Sequence, residues 1–158
     1  MDMGLVRDLI LKAPNKARFY IGSDSERFKK QGVWHARYTT VVVMHMGGLG
    51  NRVFGHVEDE RDYDQVKNRP KMRLMNEIIK TANMYLNLAD VLDERIVEIH
   101  LDISENKKNG SSCVAQEAIG YIQGMCNIVP MTKPNSWAAS FAADRYDTID
   151  REARKVAS

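Results

Sequence analysis

The run IVEIHLDI, residues 96–103, constrains this chain more than any other segment. Its Ile, Val and Leu content is that of a strand covered on both faces, and such strands belong to sheets with helices packed over them. One acid, Asp102, interrupts it, where a charge is costly unless a metal ion or a hydrogen-bond network stabilises it.

The neighbouring segments supply the rest of an α/β layout. ARFYIGSD (17–24) and VWHARYTTVVVMHM (33–46) are rich in β-branched and aromatic residues and predict strands one and two. Gly47, Gly48 and Gly50 then allow a tight turn into NRVFGHVE as strand three, so the chain opens as an antiparallel meander. The polar stretch EDERDYDQVKNRP predicts a linker, and Pro70 stands at the mouth of a helix from about Lys71 to Leu92, with Leu74, Ile78, Ala82, Tyr85 and Ala89 on its sheet-facing stripe. After IVEIHLDI, the fourth strand, and the loop SENKKNG, the segment SSCVAQEAIGYIQG predicts a helix capped by Ser111 or Ser112 and ending near Gly124. CNIVPM is expected as a fifth strand, and NSWAASFAADRYDTIDREARK as a closing helix with Trp137, Phe141, Asp144 and Thr148 along one face. The order β-β-β-α-β-α-β-α predicts a mixed five-stranded sheet with helices packed on it.

At 158 residues the chain has the size of a single domain, with residues 1–16 an N-terminal extension or short helix. The opening MDMGLVRDLILKAPNK is broken by Arg7 and Asp8, so it lacks the continuous apolar core of a signal peptide. No run approaches the length of a membrane span, and a cytoplasmic protein with no membrane partner is expected. Cys113 and Cys126 lack the spacing of a zinc or redox motif and predict free, buried thiols. A net charge of +2 is far below the excess of a protein that coats DNA, so it neither requires nor excludes a nucleic-acid partner. Oligomeric state is not legible.

Four acids stand where apolar or small residues are expected: Asp24 at the end of strand one, Glu77 on the sheet-facing side of the long helix, Asp102 in strand four and Asp144 on the face of Trp137 and Phe141. Singly, each could be a strand-end cap or a buried acid paired with arginine. Together they suggest one site. Strands one and four as parallel neighbours would set Asp24 and Asp102 side by side, where like charges resist sharing a place without a cation. Mg²⁺ or Mn²⁺ suits such oxygen ligands, and two ions would clamp the attacking and leaving groups of a phosphodiester displacement.

Four stretches carry a family resemblance: FYIGSDS (19–25), RLMNEIIKTA (73–82), EIHLDIS (98–104) and KPNSWAASFAADRY (133–146). In these the chain resembles the ribonuclease H-like superfamily, and within it looks like the YkuK-like family of small ribonuclease H-like proteins, from residue 18 to 146. The resemblance implies a ribonuclease H-like fold and a nuclease of RNA, DNA or RNA–DNA hybrid. It makes Asp24 and Asp102 the core ligands of two metal ions, Glu77 a further ligand, and Asp144 the last acid, which holds one metal or acts on the water. Ser104 departs from it, standing where that family carries Asn.

Basic residues cluster after strand one (Arg27, Lys29, Lys30) and after strand four (Lys107, Lys108). Both groups are expected in loops rimming the acids, either gathering phosphates or simply solvated. Lys133, entering the last helix, is a further candidate phosphate contact. His100 shares a strand face with Asp102 and is either a base or ligand contact or a packed strand residue. Asp24-Ser25-Glu26 together with Tyr146 and Asp150 gives a partial exonuclease pattern whose middle motif is missing. The rival to catalysis is a ribonuclease H-like module that binds nucleic acid or protein without turnover.

Overall fold

A computed structural model describes residues 1–64, 71–108 and 110–139. Four strands, β1 (Arg18–Lys30), β2 (Val33–His45), β3 (Asn51–Arg61) and β4 (Ile96–Leu101), form one sheet in the order β3-β2-β1-β4. The β1–β2 and β2–β3 pairs are antiparallel, whereas β4 lies parallel to β1 from Arg18↔Ile96 to Ser23↔Leu101.

The expected fifth strand is not formed. CNIVPM contributes a single parallel bridge between Met131 and His100, with Met131 N–H donating to the Ile99 carbonyl at 2.8 Å and Leu101 N–H to the Met131 carbonyl at 2.9 Å. Pro130 and Pro134 bracket this contact, and neither has an N–H to lengthen a ladder. The sheet of the described residues is therefore mixed and four-stranded.

The first hairpin is longer than its polar composition suggests. β1 and β2 stay paired out to Lys30↔Val33, turning through Gln31 and Gly32 at φ 51° and 77°. Two consecutive positive-φ residues match the right-handed twist of the strands. Arg27, Lys29 and Lys30 thus lie in a strand and not in a loop. Cross-strand contacts hold this arm: Phe28 stacks on His35 at 5.6 Å, and the Arg27 guanidinium lies 4.3 Å from the Trp34 ring centre.

Three helices, α1 (Met3–Lys12), α2 (Lys71–Leu92) and α3 (Ala115–Cys126), complete the described fold. Asp2 caps α1, accepting a hydrogen bond from Leu5 N–H at 3.0 Å. Ser111 and Ser112 do not cap α3; they belong to a 3₁₀ turn over Gly110–Val114, and Ser111 Oγ instead accepts from Ser104 N–H. α3 ends on Asn127 in the left-handed region, beyond Gly124. Cys126 is buried and Cys113 exposed, so only one thiol is where expected.

All three helices cover one face of the sheet. Phe19, Ile21, Val42 and Met44 pack on Ile10 and Leu88, and further along Ile99 and Leu101 pack on Ile78 and Ile122. The other face presents Tyr20, Val41 and Val43 to Ala138. Gly22 is the point of closest approach there. A Cβ on it would stand 2.8 Å from Ala139 Cα and 2.9 Å from the His100 carbonyl oxygen.

Candidate functional site

Strand alternation decides where each acid points. Ser23 and Ser25 face α2: Ser23 Oγ is 2.9 Å from Thr81 Oγ1, and Ser25 Oγ donates to Glu77 Oε1. Asp24, between them, turns to the opposite face with Tyr20 and Gly22, half-buried, its Oδ1 accepting from Ser25 N–H at 2.8 Å. Asp102 is the first residue after β4, one step beyond the last β1–β4 pair, and Asp24 is one step beyond it on β1; Asp24 is thus not at the end of strand one as expected but inside it, since β1 continues to Lys30 on its pairing with β2.

Glu77 is on the sheet-facing side of α2 and only 2% exposed. Arg73, one turn earlier, donates to Ser25 Oγ at 2.7 Å and stands 3.8 Å from Glu77 Oε1. Ser25 and Arg73 therefore fix one carboxylate oxygen of Glu77. The other, Oε2, is buried and has no hydrogen-bond partner among the described residues. Burial pushes the Glu77 carboxyl up to about 8; the Ser25 hydrogen bond and the Arg73 charge pull it back, Asp102 raises it further, and Lys133 lowers it slightly. Glu77, Asp102 and Lys133 thus share one electrostatic environment although they come from α2, the end of β4 and the segment before Trp137.

Lys133 Nζ forms an ion pair at 3.0 Å with Asp102 Oδ1, a buried oxygen that has no other polar partner among the described residues. Lys133 also lines a cleft of about 450 Å³ with Ser104, Glu105, Asn106, Thr132 and Pro134. Lys107 and Lys108 are exposed in the loop after β4, close in sequence to this cleft. Lys29 and Lys30 are on the hairpin arm, where Lys29 Nζ sits 5.0 Å from the Trp34 ring centre. His100 is fully enclosed: it meets Tyr20 and Trp137 edge-on, Nδ1 accepts from Ala138 N–H at 3.1 Å, and Nε2 is 3.0 Å from Glu98 Oε2. These contacts are those of the packed strand residue. Asp144, Tyr146 and Asp150 lie outside the described residues.

Among the described residues no group of three His, Cys, Asp or Glu side chains forms a metal cage. The donor set nevertheless suits a hard cation. Among the described residues Glu77 Oε2 is buried with no hydrogen-bond partner, and Asp102 Oδ1 is buried with the Lys133 ammonium against it; a hard cation at either oxygen would compensate its charge, and at Glu77 would favour the ionised form. Ser25 and Arg73 are the site residues that sequence reasoning missed. Arg73 is four residues before Glu77, the spacing of a helical ion pair, and that was the only signal available.

The sheet order, the parallel β1–β4 pair and the acids at its carboxyl end define an α/β domain with a polar site at strand ends. A family model described as Ribonuclease H-like matches residues 3–148, and the chain belongs to that family. No curated protein and no solved structure matches it.

Proposed function

We propose that this chain is a metal-dependent nuclease of the YkuK-like branch, hydrolysing phosphodiester bonds of RNA, DNA or an RNA–DNA hybrid. The observation that carries this reading is Glu77, a buried carboxyl whose Oε2 has no hydrogen-bond partner among the described residues and whose proton affinity is raised by burial and by the charge of Asp102. Mg²⁺ or Mn²⁺ would be held by Asp24, Glu77 and Asp102, with Asp144 the expected fourth ligand. When bound, the ions supply water activation and stabilise the leaving oxygen. Ser25 and Arg73 hold Glu77 in one orientation. Lys107 and Lys108 offer charge for backbone phosphates beside the cleft, and contacts of that kind make affinity fall with salt.

The test incubates the protein with labelled single-stranded, duplex and hybrid substrates, with and without Mn²⁺, beside Asp24→Asn and Asp102→Asn. Mn²⁺-dependent cleavage lost in both variants is the expected result; cleavage that survives both substitutions refutes the site. A second reading, a binding module without turnover, is favoured by one observation: the Lys133 ammonium already compensates Asp102. Nucleic-acid binding with no cleavage of any substrate would select it. A cytoplasmic location belongs to the same proposal; no helix among the described residues is long and apolar enough to cross a membrane.

A further inference from the structure

We infer that Lys133 is a built-in counter-ion of the acid site, competing with a divalent cation for Asp102. The inference rests on reading Asp102 and Glu77 as metal ligands and adds to it what holds these acids together when no metal is bound.

Three observations carry it. First, Lys133 Nζ is 3.0 Å from Asp102 Oδ1, the same buried oxygen that accepts no hydrogen bond from any other group. Its charge also acts on Glu77, so one ammonium serves both acids. Second, Arg73 serves the Glu77 side of the site, bonded to the Ser25 hydroxyl and carbonyl oxygen and 3.8 Å from Glu77 Oε1, which leaves Asp102 to Lys133. Third, the main chain at Lys133 is anchored independently of the ion pair that its ammonium makes. Lys133 N–H donates to the Ile103 carbonyl at 2.9 Å, and Asn135 N–H to the Thr132 carbonyl at 2.8 Å. The side chain is 42% exposed against 15% for Asp102 and borders the open cleft beside Ser104 and Asn106. A lysine stem of four methylenes can leave Asp102 for that cleft without moving the backbone that positions it.

A competing ammonium lowers the affinity of the site for a metal, so removing it should tighten binding. Mn²⁺ titrations by calorimetry would compare the unmodified protein with Lys133→Met, Lys133→Gln and the charge-keeping Lys133→Arg. Lys107→Met and Lys108→Met are the controls for a general loss of positive field. We expect Lys133→Met and Lys133→Gln to bind Mn²⁺ roughly tenfold tighter or more, with Lys133→Arg and both loop controls within about threefold of the unmodified protein. Equal tightening by the loop controls would overturn the counter-ion role. So would unchanged or weaker binding by Lys133→Met and Lys133→Gln while the unmodified protein binds Mn²⁺, and that outcome would leave the metal-site reading standing. Absence of Mn²⁺ binding by every folded variant would overturn both. Melting in EDTA gives a second readout: Lys133→Met should melt lower than the unmodified protein, because Asp102 loses its counter-charge, and Mn²⁺ should restore the difference.

Discussion

Glu77→Gln separates the charge of the site from its shape. In the metal-free protein the Glu77 carboxyl is raised from 4.5 to about 8, chiefly because it is buried. A carboxyl whose pKa rises on folding binds its proton more tightly in the folded state. The contribution of Glu77 to stability is then greatest below pH 4.5, falls as pH climbs through the interval to about 8, and falls no further above it. At about 1.36 kcal/mol per unit, the full interval sets a ceiling of about 5 kcal/mol. Relaxation around a coupled buried acid reduces that to roughly 2–3 kcal/mol of pH-dependent loss. Glutamine cannot ionise and keeps the carbonyl that accepts from Ser25, though its amide donors replace an oxygen and cost about 1 kcal/mol at any pH.

Subtracting the two proteins at each pH removes every titrating group that does not interact with Glu77. In EDTA, Glu77→Gln should be slightly less stable than the unmodified protein at pH 5 and more stable at pH 8.5, a crossover of about 2 kcal/mol. For a chain of this size each kcal/mol moves the melting temperature by about 2–4 °C, which thermal denaturation resolves easily. Mn²⁺ should reverse the ranking at pH 8.5, since it stabilises only the protein that retains the carboxylate. A melting difference that stays constant between pH 5 and 8.5 in EDTA would refute the burial argument.

Ser25→Ala removes the hydroxyl that donates to Glu77 and accepts from Arg73, leaving a buried carboxyl and a half-buried guanidinium each short of a partner; we expect a loss of about 1–3 kcal/mol in urea denaturation. Gly22→Ala forces a Cβ against the backbone of Ala139 and His100, two places that have no flexible side-chain end to move. It should cost about 1–3 kcal/mol by the same measurement, and a neutral outcome would mean residues 138–139 do not pack there. Leu88→Ala, at a fully buried position between α2 and the sheet, should cost about 2–5 kcal/mol.

Elements shaped by burial were the ones readable in the chain. β2, β4 and α2 carry apolar patterns that only a covered face explains, and their observed limits lie close to those expected. The hairpin arm was not readable in the same way, because Glu26 to Lys30 have the composition of a solvated loop. Pairing across to Val33–Arg37 makes them strand, and that partnership is a property of two segments and not of either one. CNIVPM shows the converse: its β-branched residues suggest a strand, but Pro130 within it and Pro134 beyond limit it to one bridge, at Met131. At the site, Asp24 and Asp102 announced themselves as acids at the ends of apolar runs. Ser25 and Arg73 are ordinary residue types at ordinary positions, and only the packing of α2 on β1 reveals what they hold.

The unequal lengths of β1 and β4 explain why a site forms here at all. β4 ends at Leu101 and its ladder with β1 ends at Ser23, while β1 itself runs on to Lys30. Along the shared ladder the sheet separates its two faces, so Ser23 and Thr81 on the α2 side never meet Tyr20 and His100 on the other. Beyond Ser23 that separation lapses on one side of β1. Glu77 arrives from the α2 face, Asp24 starts from the opposite face, and Asp102 leaves the end of β4 between them, within electrostatic reach of Glu77. Extending β4 by a residue pair would restore the barrier between the two faces. Glu77 and Asp102 therefore come within electrostatic reach of each other where the parallel ladder stops, and the early end of β4 is what permits it.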